Sequence, residues 1–271
     1  MTEPPEHAPA VTAASAASAA TADEVMTVVA ARELRGRRTC FVGIGLPSIA
    51  ASLARQVHEP SLVLIYESGP IGAKPTRAPL SIGDGELADT ALDVVGVPEV
   101  FSYWLQGGRI DVGFLGAAQI CRYGNINTTV IGPYRQPMVR LPGAGGAPEI
   151  AASAREVIVV ARHTSRTFVN RLDFVTSIGH HDGGDSRKAL GLPGDGPTAV
   201  ITDLGVLRPE AESRELVLTA IHPGVAVATV RERTGWPLRM AASLTETEPP
   251  TELELGTLRR LSAGRPTGSA G

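Results

Sequence analysis

Short, almost continuous apolar segments, separated by segments of helical periodicity, constrain the fold of this chain more than any other feature. The clearest of them is SLVLIYE (61–67). A strand that is apolar on both faces must be covered on both sides, which is typical of parallel sheets with helical crossovers. Further segments of this kind are TCFVGIG (39–45), DVGFLGA (111–117), TTVIG (128–132), EVIVVAR (156–162) and TAVITDLG (198–205). We therefore predict an α/β domain built on a mainly parallel sheet.

Three segments with helical spacing accompany these strands: 24–35, 47–57 and 148–154. Asp23 can cap the first, and Pro47 and Pro148 occupy first-turn positions of the other two, where proline is favoured. Residues 215–235 predict a strand, a turn at His222-Pro223-Gly224 and a further helix.

The two ends of the chain differ in composition from the rest. Residues 1–22 are mostly Ala, Thr, Ser and Pro, and they predict a disordered tail because they offer almost no apolar surface to bury. Residues 263–271 predict a second flexible tail, which leaves 23–262 as a single domain. Glu3 and Glu6 stand where a secretory signal would carry basic residues, so secretion is not expected.

Composition excludes several classes of protein. The formal net charge is −3, which gives no basic surplus for a nucleic acid or an anionic membrane as partner. Cys40 and Cys121 are too few for a disulfide framework or a usual zinc cluster, and no metal site is predicted. No apolar segment approaches the roughly 20 residues of a membrane-spanning helix. We expect a soluble, cytoplasmic protein.

Glu67 is the first candidate for chemistry, because it leaves the clearest strand at its carboxyl end. Ligands of open α/β sheets gather at that edge. The glycines that follow, Gly69 and Gly72, allow a large ligand to approach the backbone closely. The alternative is a solvated glutamate in an ordinary loop.

A second glycine cluster contains Gly143, Gly145 and Gly146 and precedes the predicted helix 148–154. Successive backbone N–H groups in such a turn can bind an anion or stabilise an oxyanion. The alternative is a tight turn between a strand and a helix with no ligand.

Two other motifs offer competing functions. Gly43-Ile44-Gly45-Leu46-Pro47-Ser48, with Glu67 at the end of the next strand, imitates a dinucleotide fingerprint, but Ser48 stands where that motif has its third glycine. Gly179-His180-His181-Asp182-Gly183-Gly184-Asp185 offers metal-ligand types in one loop. Adjacent histidines lack the i, i+4 spacing that places two imidazoles on one helix face, so a solvated loop is the better interpretation.

Several segments resemble, in order, the motifs of family I coenzyme A transferases. They are ESGPIG (67–72), LQGGRID (105–111), LGAAQ (115–119), RYGN (122–125) and GAGGA (143–147). The resemblance covers residues 24–240 and is greatest to the β subunits of glutaconate and 3-oxoadipate CoA-transferases. It implies a Rossmann-like, three-layer α/β subunit with a mainly parallel sheet, and a separate α subunit as partner.

The resemblance also implies an activity. Glu67 matches the position of the family's nucleophile, so we expect CoA to pass from an acyl-CoA, such as succinyl-CoA or acetyl-CoA, to a small dicarboxylic or 3-oxo acid such as 3-oxoadipate. The expected intermediate is a glutamyl-CoA thioester on Glu67. The coenzyme A thioester is then a substrate, and no permanently bound cofactor is expected. Acyl-CoA hydrolysis on the same scaffold, or a non-catalytic nucleotide- or sugar-phosphate-binding module, remain alternatives.

The remaining site residues follow from the charge that this chemistry develops. Each tetrahedral intermediate carries an oxyanion, for which Gly69, Gly143, Gly145 and Gly146 offer backbone amides and Asn125 a side-chain amide. A dicarboxylic substrate also needs a cation for its distal carboxylate. Lys74 and Arg77 follow the glutamate loop and are the candidates for that role.

Overall fold

A ten-stranded sheet with helices on both faces organises residues 20–263, which are the residues that the computed structural model describes. The strands of the sheet are β1 (Thr39–Val42), β2 (Val63–Tyr66), β3 (Pro70–Ile71), β4 (Asp93–Val94), β5 (Val112–Gly116), β10 (Glu156–Val160), β11 (Pro197–Ile201), β12 (Gly205–Pro209), β13 (Leu216–Ile221) and β14 (Met240–Glu246). Two hairpins lie outside it, formed by β6 (Gln119–Ile120) with β7 (Ile126–Asn127) and by β8 (Val130–Ile131) with β9 (Val139–Arg140).

The helices accompany the strands in chain order. They are α1 (Ala22–Arg32), α2 (Leu46–Val57), α3 (Gly85–Asp89), α4 (Val97–Glu99), α5 (Ala147–Ser153), α6 (Ser186–Ala189), α7 (Val227–Glu232) and α8 (Glu252–Ser262). A π-helical segment, Val100–Leu105, directly continues α4.

Five parallel strands form the centre of the sheet, in the order β11, β10, β5, β1, β2. Antiparallel pairing begins on both sides of this centre, where β12 joins β11 and β3 joins β2. The α/β class and the mainly parallel sheet predicted from the apolar segments are confirmed. Because the central strands run parallel, their carboxyl ends lie along one edge of the sheet.

Two of the predicted strands differ from the structure. The segment 128–132 lies outside the main sheet, in the hairpin of β8 and β9, so its apolar residues are not a covered parallel strand. The segment 198–205 is not one strand, because the chain turns at 202–204 and returns as antiparallel β12. Apolar content alone does not distinguish a strand from a hairpin or from two strands joined by a tight turn.

The central sheet separates two apolar cores, which gives three layers. On β1, Cys40 and Val42 face the core formed with α1, α2 and α8, whereas Phe41 faces the core formed with α5 and α7. Successive strand residues point to opposite faces, and both faces are apolar here because each is covered by helices.

The helix boundaries correct one prediction at the start of the chain. Thr21, and not Asp23, is the N-cap of α1: its hydroxyl accepts the Glu24 amide, and the Glu24 carboxylate accepts the Thr21 amide. This reciprocal pair is a capping box. Helix α1 therefore takes in Ala22, which was predicted to belong to the tail. The rest of the predicted tails, residues 1–19 and 264–271, lies outside the described residues.

Candidate active site

Glu67 directly follows β2, so the parallel centre of the sheet places it at the carboxyl edge. The preceding side chain is fixed, because Tyr66 is fully buried and its hydroxyl lies 3.0 Å from the Ser48 hydroxyl of α2. Burial raises the pKa of Tyr66 to about 12, so the phenol remains protonated. Glu67 itself is half-buried and lines a cavity of about 590 Å³. A rigid strand end therefore presents a reachable carboxylate.

Nine residues of the described chain line this cavity: Glu67, Ser68, Ile82, Val97, Phe101, Gly145, Gly146, Pro148 and Glu149. The set contains two carboxylates and no Lys, Arg or His. The other lining residues are mostly apolar or glycine. An anionic substrate therefore finds no cation from residues 20–263 in the cavity wall.

The second glycine cluster lies against Glu67. A Cβ placed on Gly146 would be 3.0 Å from Oε2 of Glu67 and 2.7 Å from the ring of Phe101, so a side chain at 146 has no space. The amides of Gly145 and Gly146 donate to no acceptor within residues 20–263. These N–H groups belong to residues that line the cavity beside the Glu67 carboxylate, and free N–H groups at such a place can stabilise an oxyanion.

Three other residues that were expected to donate hydrogen bonds to the oxyanion already have hydrogen-bond partners within the chain. Gly143 donates its amide to Thr128 O at 2.9 Å, and Gly69 donates its amide to Tyr66 O at 3.0 Å. The Asn125 side chain donates to His181 O at 2.8 Å and accepts the Gly179 amide at 2.8 Å. None of the three lines the cavity. Among the expected oxyanion donors, Gly145 and Gly146 are the ones that line the described cavity, and their role stays a prediction.

The expected substrate cations, Lys74 and Arg77, do not line the cavity either. Lys74 is exposed, and Arg77 makes two hydrogen bonds to Asp84, at 2.8 and 3.0 Å, and an ion pair with Glu86 at 3.2 Å. The Arg77 guanidinium holds the pKa of Asp84 at about 2. Arg77 thus anchors the loop before α3, and the substrate-binding role expected for it stays a prediction.

Phe101, Ile82 and Ser68 are cavity residues that sequence reasoning missed as site residues. Phe101 lies in the π-helical segment, where its ring packs edge-on against Phe41 with centroids 5.8 Å apart. π-helical turns occur frequently at functional sites, but the sequence carries no local signal for one. Ile82 reaches the cavity through a loop that follows Glu67 by 15 residues, a contact that spacing does not predict.

The two competing motifs have structural explanations. Ser48, at the position of the missing third glycine, is buried against Tyr66, and Gly45 is the N-cap of α2. His180 bonds Pro197 O at 2.9 Å, and His181 is paired with Asp182 at 3.2 Å. Across residues 20–263, no group of three or more His, Cys, Asp or Glu side chains is placed to hold a metal ion.

One further property concerns lipid bilayers. Among the helices of the described chain, none combines the length and the apolar character needed to cross a membrane.

Comparison with known proteins gives concordant matches over most of the chain. The model of the family "Coenzyme A transferase" matches residues 24–233. The chain is 63% identical to the β subunit of 3-oxoadipate CoA-transferase from Pseudomonas knackmussii, over 91% of this chain and 95% of that protein. It is 36% identical to the β subunit of glutaconate CoA-transferase from Acidaminococcus fermentans, over 87% and 90% of the two chains. The crystal structure of glutaconate coenzyme A-transferase from that organism superposes with a TM-score of 0.85 at 34% identity, covering 90% of this chain and 96% of that one.

Proposed function

The chain belongs to the coenzyme A transferase family, and we propose that it is the subunit of a two-chain CoA-transferase that carries the nucleophile, Glu67. The membership confirms the family expected from the glutamate and glycine motifs. We further propose 3-oxoadipate as the CoA acceptor and succinyl-CoA as the donor; the acceptor is supported by the name of the relative that is 63% identical. The observation that carries the assignment of the nucleophile is the position of the Glu67 carboxylate against Gly146 in an accessible cavity.

The proposed reaction begins when the Glu67 carboxylate attacks the thioester carbonyl of the donor. The carbon–sulfur bond breaks, CoA leaves as thiolate, and a mixed anhydride joins Glu67 to the donor acyl group. The thiolate then attacks the glutamyl carbonyl, the bond from that carbon to the bridging oxygen breaks, and the donor acid leaves as carboxylate. The enzyme now holds CoA as a glutamyl thioester.

The second half repeats these steps in reverse. The acceptor carboxylate attacks the glutamyl thioester and releases CoA thiolate, and the thiolate then attacks the acceptor carbonyl of the new anhydride. Acceptor acyl-CoA leaves, and the Glu67 carboxylate is restored. In each tetrahedral intermediate the negative oxygen takes hydrogen bonds from the amides of Gly145 and Gly146, which line the cavity beside Glu67.

A second subunit is part of this proposal for two reasons. The described cavity wall contains no cation, although acyl-CoA and 3-oxoadipate are anions. In addition, the segment 80–103, which borders the cavity, exposes six large apolar side chains: Leu80, Ile82, Leu92, Val94, Val97 and Tyr103. Three of its five Asp and Glu residues, Asp89, Asp93 and Glu99, are exposed, whereas Asp84 and Glu86 pair with Arg77; the segment contains no Lys, Arg or His. An apolar, acidic surface beside an open cavity fits a partner subunit with an apolar centre and basic groups that also reach the substrate.

Trapping of the thioester tests the proposed function. The co-expressed two-chain enzyme is incubated with succinyl-CoA and reduced with borohydride, which converts a glutamyl thioester to an alcohol. Peptide mass analysis should then locate the modification at Glu67. The Glu67→Gln variant should show neither trapping nor transfer, whereas Glu149→Gln, which alters the other cavity carboxylate, should still be trapped. Trapping at another residue, or transfer that survives Glu67→Gln, would contradict the proposal.

The hydrolytic alternative is separated by the same preparation. If water is the acceptor, free CoA should appear from succinyl-CoA at a rate that does not depend on 3-oxoadipate. A transferase should form 3-oxoadipyl-CoA in proportion to the succinyl-CoA consumed. Hydrolysis without acceptor dependence would replace the proposed reaction with thioester hydrolysis.

A further inference from the structure

Ser68 follows the proposed nucleophile and makes a contact for which the proposed mechanism has no use. Its hydroxyl donates to Ile82 O at 2.6 Å, and both residues line the cavity. The hydrogen bond thus joins the turn that carries Glu67 to the loop formed by residues 80–84, which we call the wall loop. A donor that is engaged by a backbone carbonyl is not available to a substrate.

The wall loop is a small preformed unit. The Asp84 carboxylate accepts the Leu80 amide at 2.9 Å and is held by Arg77, and the Asp84 amide donates to Ser81 O at 3.1 Å. Apart from the Ser68 contact, the hydrogen bonds of the wall loop stay within residues 77–87 of the described chain. Within the described chain, the Ser68 hydroxyl is therefore the wall loop's hydrogen-bonded link to the nucleophile turn.

The wall loop forms part of the wall of the cavity that contains Glu67. Ile82 of the wall loop and Ser68 both line the cavity, and the ring of Phe101 lies against Gly146. Water that enters can attack the glutamyl carbonyl of the thioester, break the carbon–sulfur bond and release CoA, with the water protons passing to the thiolate and to solvent. That reaction restores the Glu67 carboxylate and consumes the thioester without transferring CoA to an acceptor. Exclusion of water is thus a requirement of transfer.

On this geometry, and resting on the proposed function, we propose that Ser68 is a positioning residue that holds the wall loop against the nucleophile turn and thereby sets the ratio of transfer to hydrolysis. Loss of one hydrogen bond between neutral groups shifts a closed-to-open equilibrium by roughly fivefold. The glutamyl thioester should therefore decay to water roughly fivefold faster without the Ser68 hydroxyl. The Michaelis constants for donor and acceptor should change little, because the hydroxyl does not contact them.

The test compares three variants of the co-purified two-chain enzyme. Ser68→Ala removes the hydroxyl and Ser68→Thr retains it. Ser102→Ala is the matched control, because the Ser102 hydroxyl also donates to a backbone carbonyl, Pro98 O at 2.5 Å, but Ser102 does not line the cavity. The thioester is formed with succinyl-CoA, freed of excess substrate, and its loss without acceptor is followed by thiol release. Amide hydrogen exchange of peptides over 79–86 reports the wall loop directly.

Faster decay, a larger hydrolysed share and faster exchange in Ser68→Ala, with wild-type behaviour in Ser68→Thr and Ser102→Ala, support the inference. A wild-type decay rate in Ser68→Ala, or an equal effect of Ser102→Ala, overturns it. These outcomes are distinct from failure of the proposed function, in which the wild-type enzyme forms no trappable thioester at Glu67.

Discussion

Gly146 shows how closely the site restricts a single residue. An added methyl group would meet both the Phe101 ring and the Glu67 carboxylate, and a displacement of about 1 Å at reacting groups costs roughly 100-fold in rate. We predict that Gly146→Ala lowers kcat for CoA transfer about 100-fold, and that adding Phe101→Leu recovers part of the loss. Steady-state kinetics of both variants check this. Gly43→Ala is the control, because a Cβ there meets no atom within 4 Å; an equal loss in that variant would contradict the steric explanation.

Arg77 leads to a different prediction, one of stability. Because Arg77 is bound to Asp84 and Glu86, Arg77→Ala should lower the melting temperature without a selective rise in the Michaelis constant for dicarboxylates. Lys74→Ala, which removes an exposed side chain, should leave the melting temperature unchanged. The pKa of Asp84 is lowered, so its contribution to stability is present above the ordinary carboxyl pKa and is lost as pH falls towards about 2. The difference between wild type and Arg77→Ala should therefore shrink on acidification, and a constant difference would contradict this role.

The sequence predicted those site residues whose position depends on local structure. A carboxylate at the end of an apolar strand and a glycine turn before a helix reach the same edge of any parallel sheet, which brings Glu67 to Gly146. The donors of Asn125 and Gly143 are not brought to the cavity, because what they bind is decided by distant segments such as 179–181. The residue type shows that a hydrogen-bond donor is present, but it does not show which acceptor that donor binds.

At the scale of elements, α8 is attached to the domain by a buried carboxylate. Glu254 is 1% exposed and accepts hydrogen bonds from Arg32 Nε at 2.8 Å and from the Thr251 amide at 2.7 Å. Glu254→Gln removes the buried charge that pairs with the half-buried Arg32 and should lower the free energy of unfolding by roughly 3 kcal/mol. Urea denaturation at pH 7 measures it. Glu252→Gln, at an exposed position of the same helix, is the control and should leave the free energy of unfolding unchanged.

The difference in unfolding free energy between wild type and Glu254→Gln should depend on pH in a definite direction. Burial alone would raise the pKa of Glu254, but hydrogen bonds from Arg32 and Thr251 outweigh it and hold the pKa at about 2. A carboxyl whose pKa is lowered in the folded state stabilises it above the unfolded pKa and loses that effect as pH falls. The gap between wild type and Glu254→Gln should thus narrow from pH 4.5 to pH 2. A gap that widens on acidification would contradict the ion pair as its cause.

Strands that are covered on both faces could be predicted from the sequence, whereas strands at the two edges of the sheet could not. The central strands can be predicted from their uninterrupted apolar sequence, because helices cover both of their faces. The edge strand β4 is exposed throughout, and β14 is mostly exposed, so they lack such a signal. Helix α8 was not predicted: two of its buried residues, Leu258 and Leu261, are apolar, but the other two, Glu254 and Thr257, are of types that usually predict solvent exposure.

For the molecule as a whole, the surface of segment 80–103 should decide whether the two-chain enzyme assembles. Leu92 is 71% exposed on this segment, so Leu92→Asp should fold but fail to co-purify with the partner subunit. Leu253, 64% exposed on α8, provides the control, and Leu253→Asp should retain the partner. Size-exclusion chromatography with light scattering gives the mass of each complex. Retention of the partner by Leu92→Asp, or its loss in both variants, would place the interface elsewhere.

The antiparallel packing of α1 and α8 has a consequence for engineering. Glu24 near the start of α1 pairs with Arg259 near the end of α8 at 2.7 Å, and Arg32 pairs with Glu254 at the opposite ends, so residues 20 and 263 emerge side by side. This helical layer lies across the sheet from the one that contains Phe101 and α5. A short peptide linker between residues 20 and 263 could therefore close the described domain into a ring, and circular permutants opened at surface turns away from the cavity should leave the candidate site unchanged.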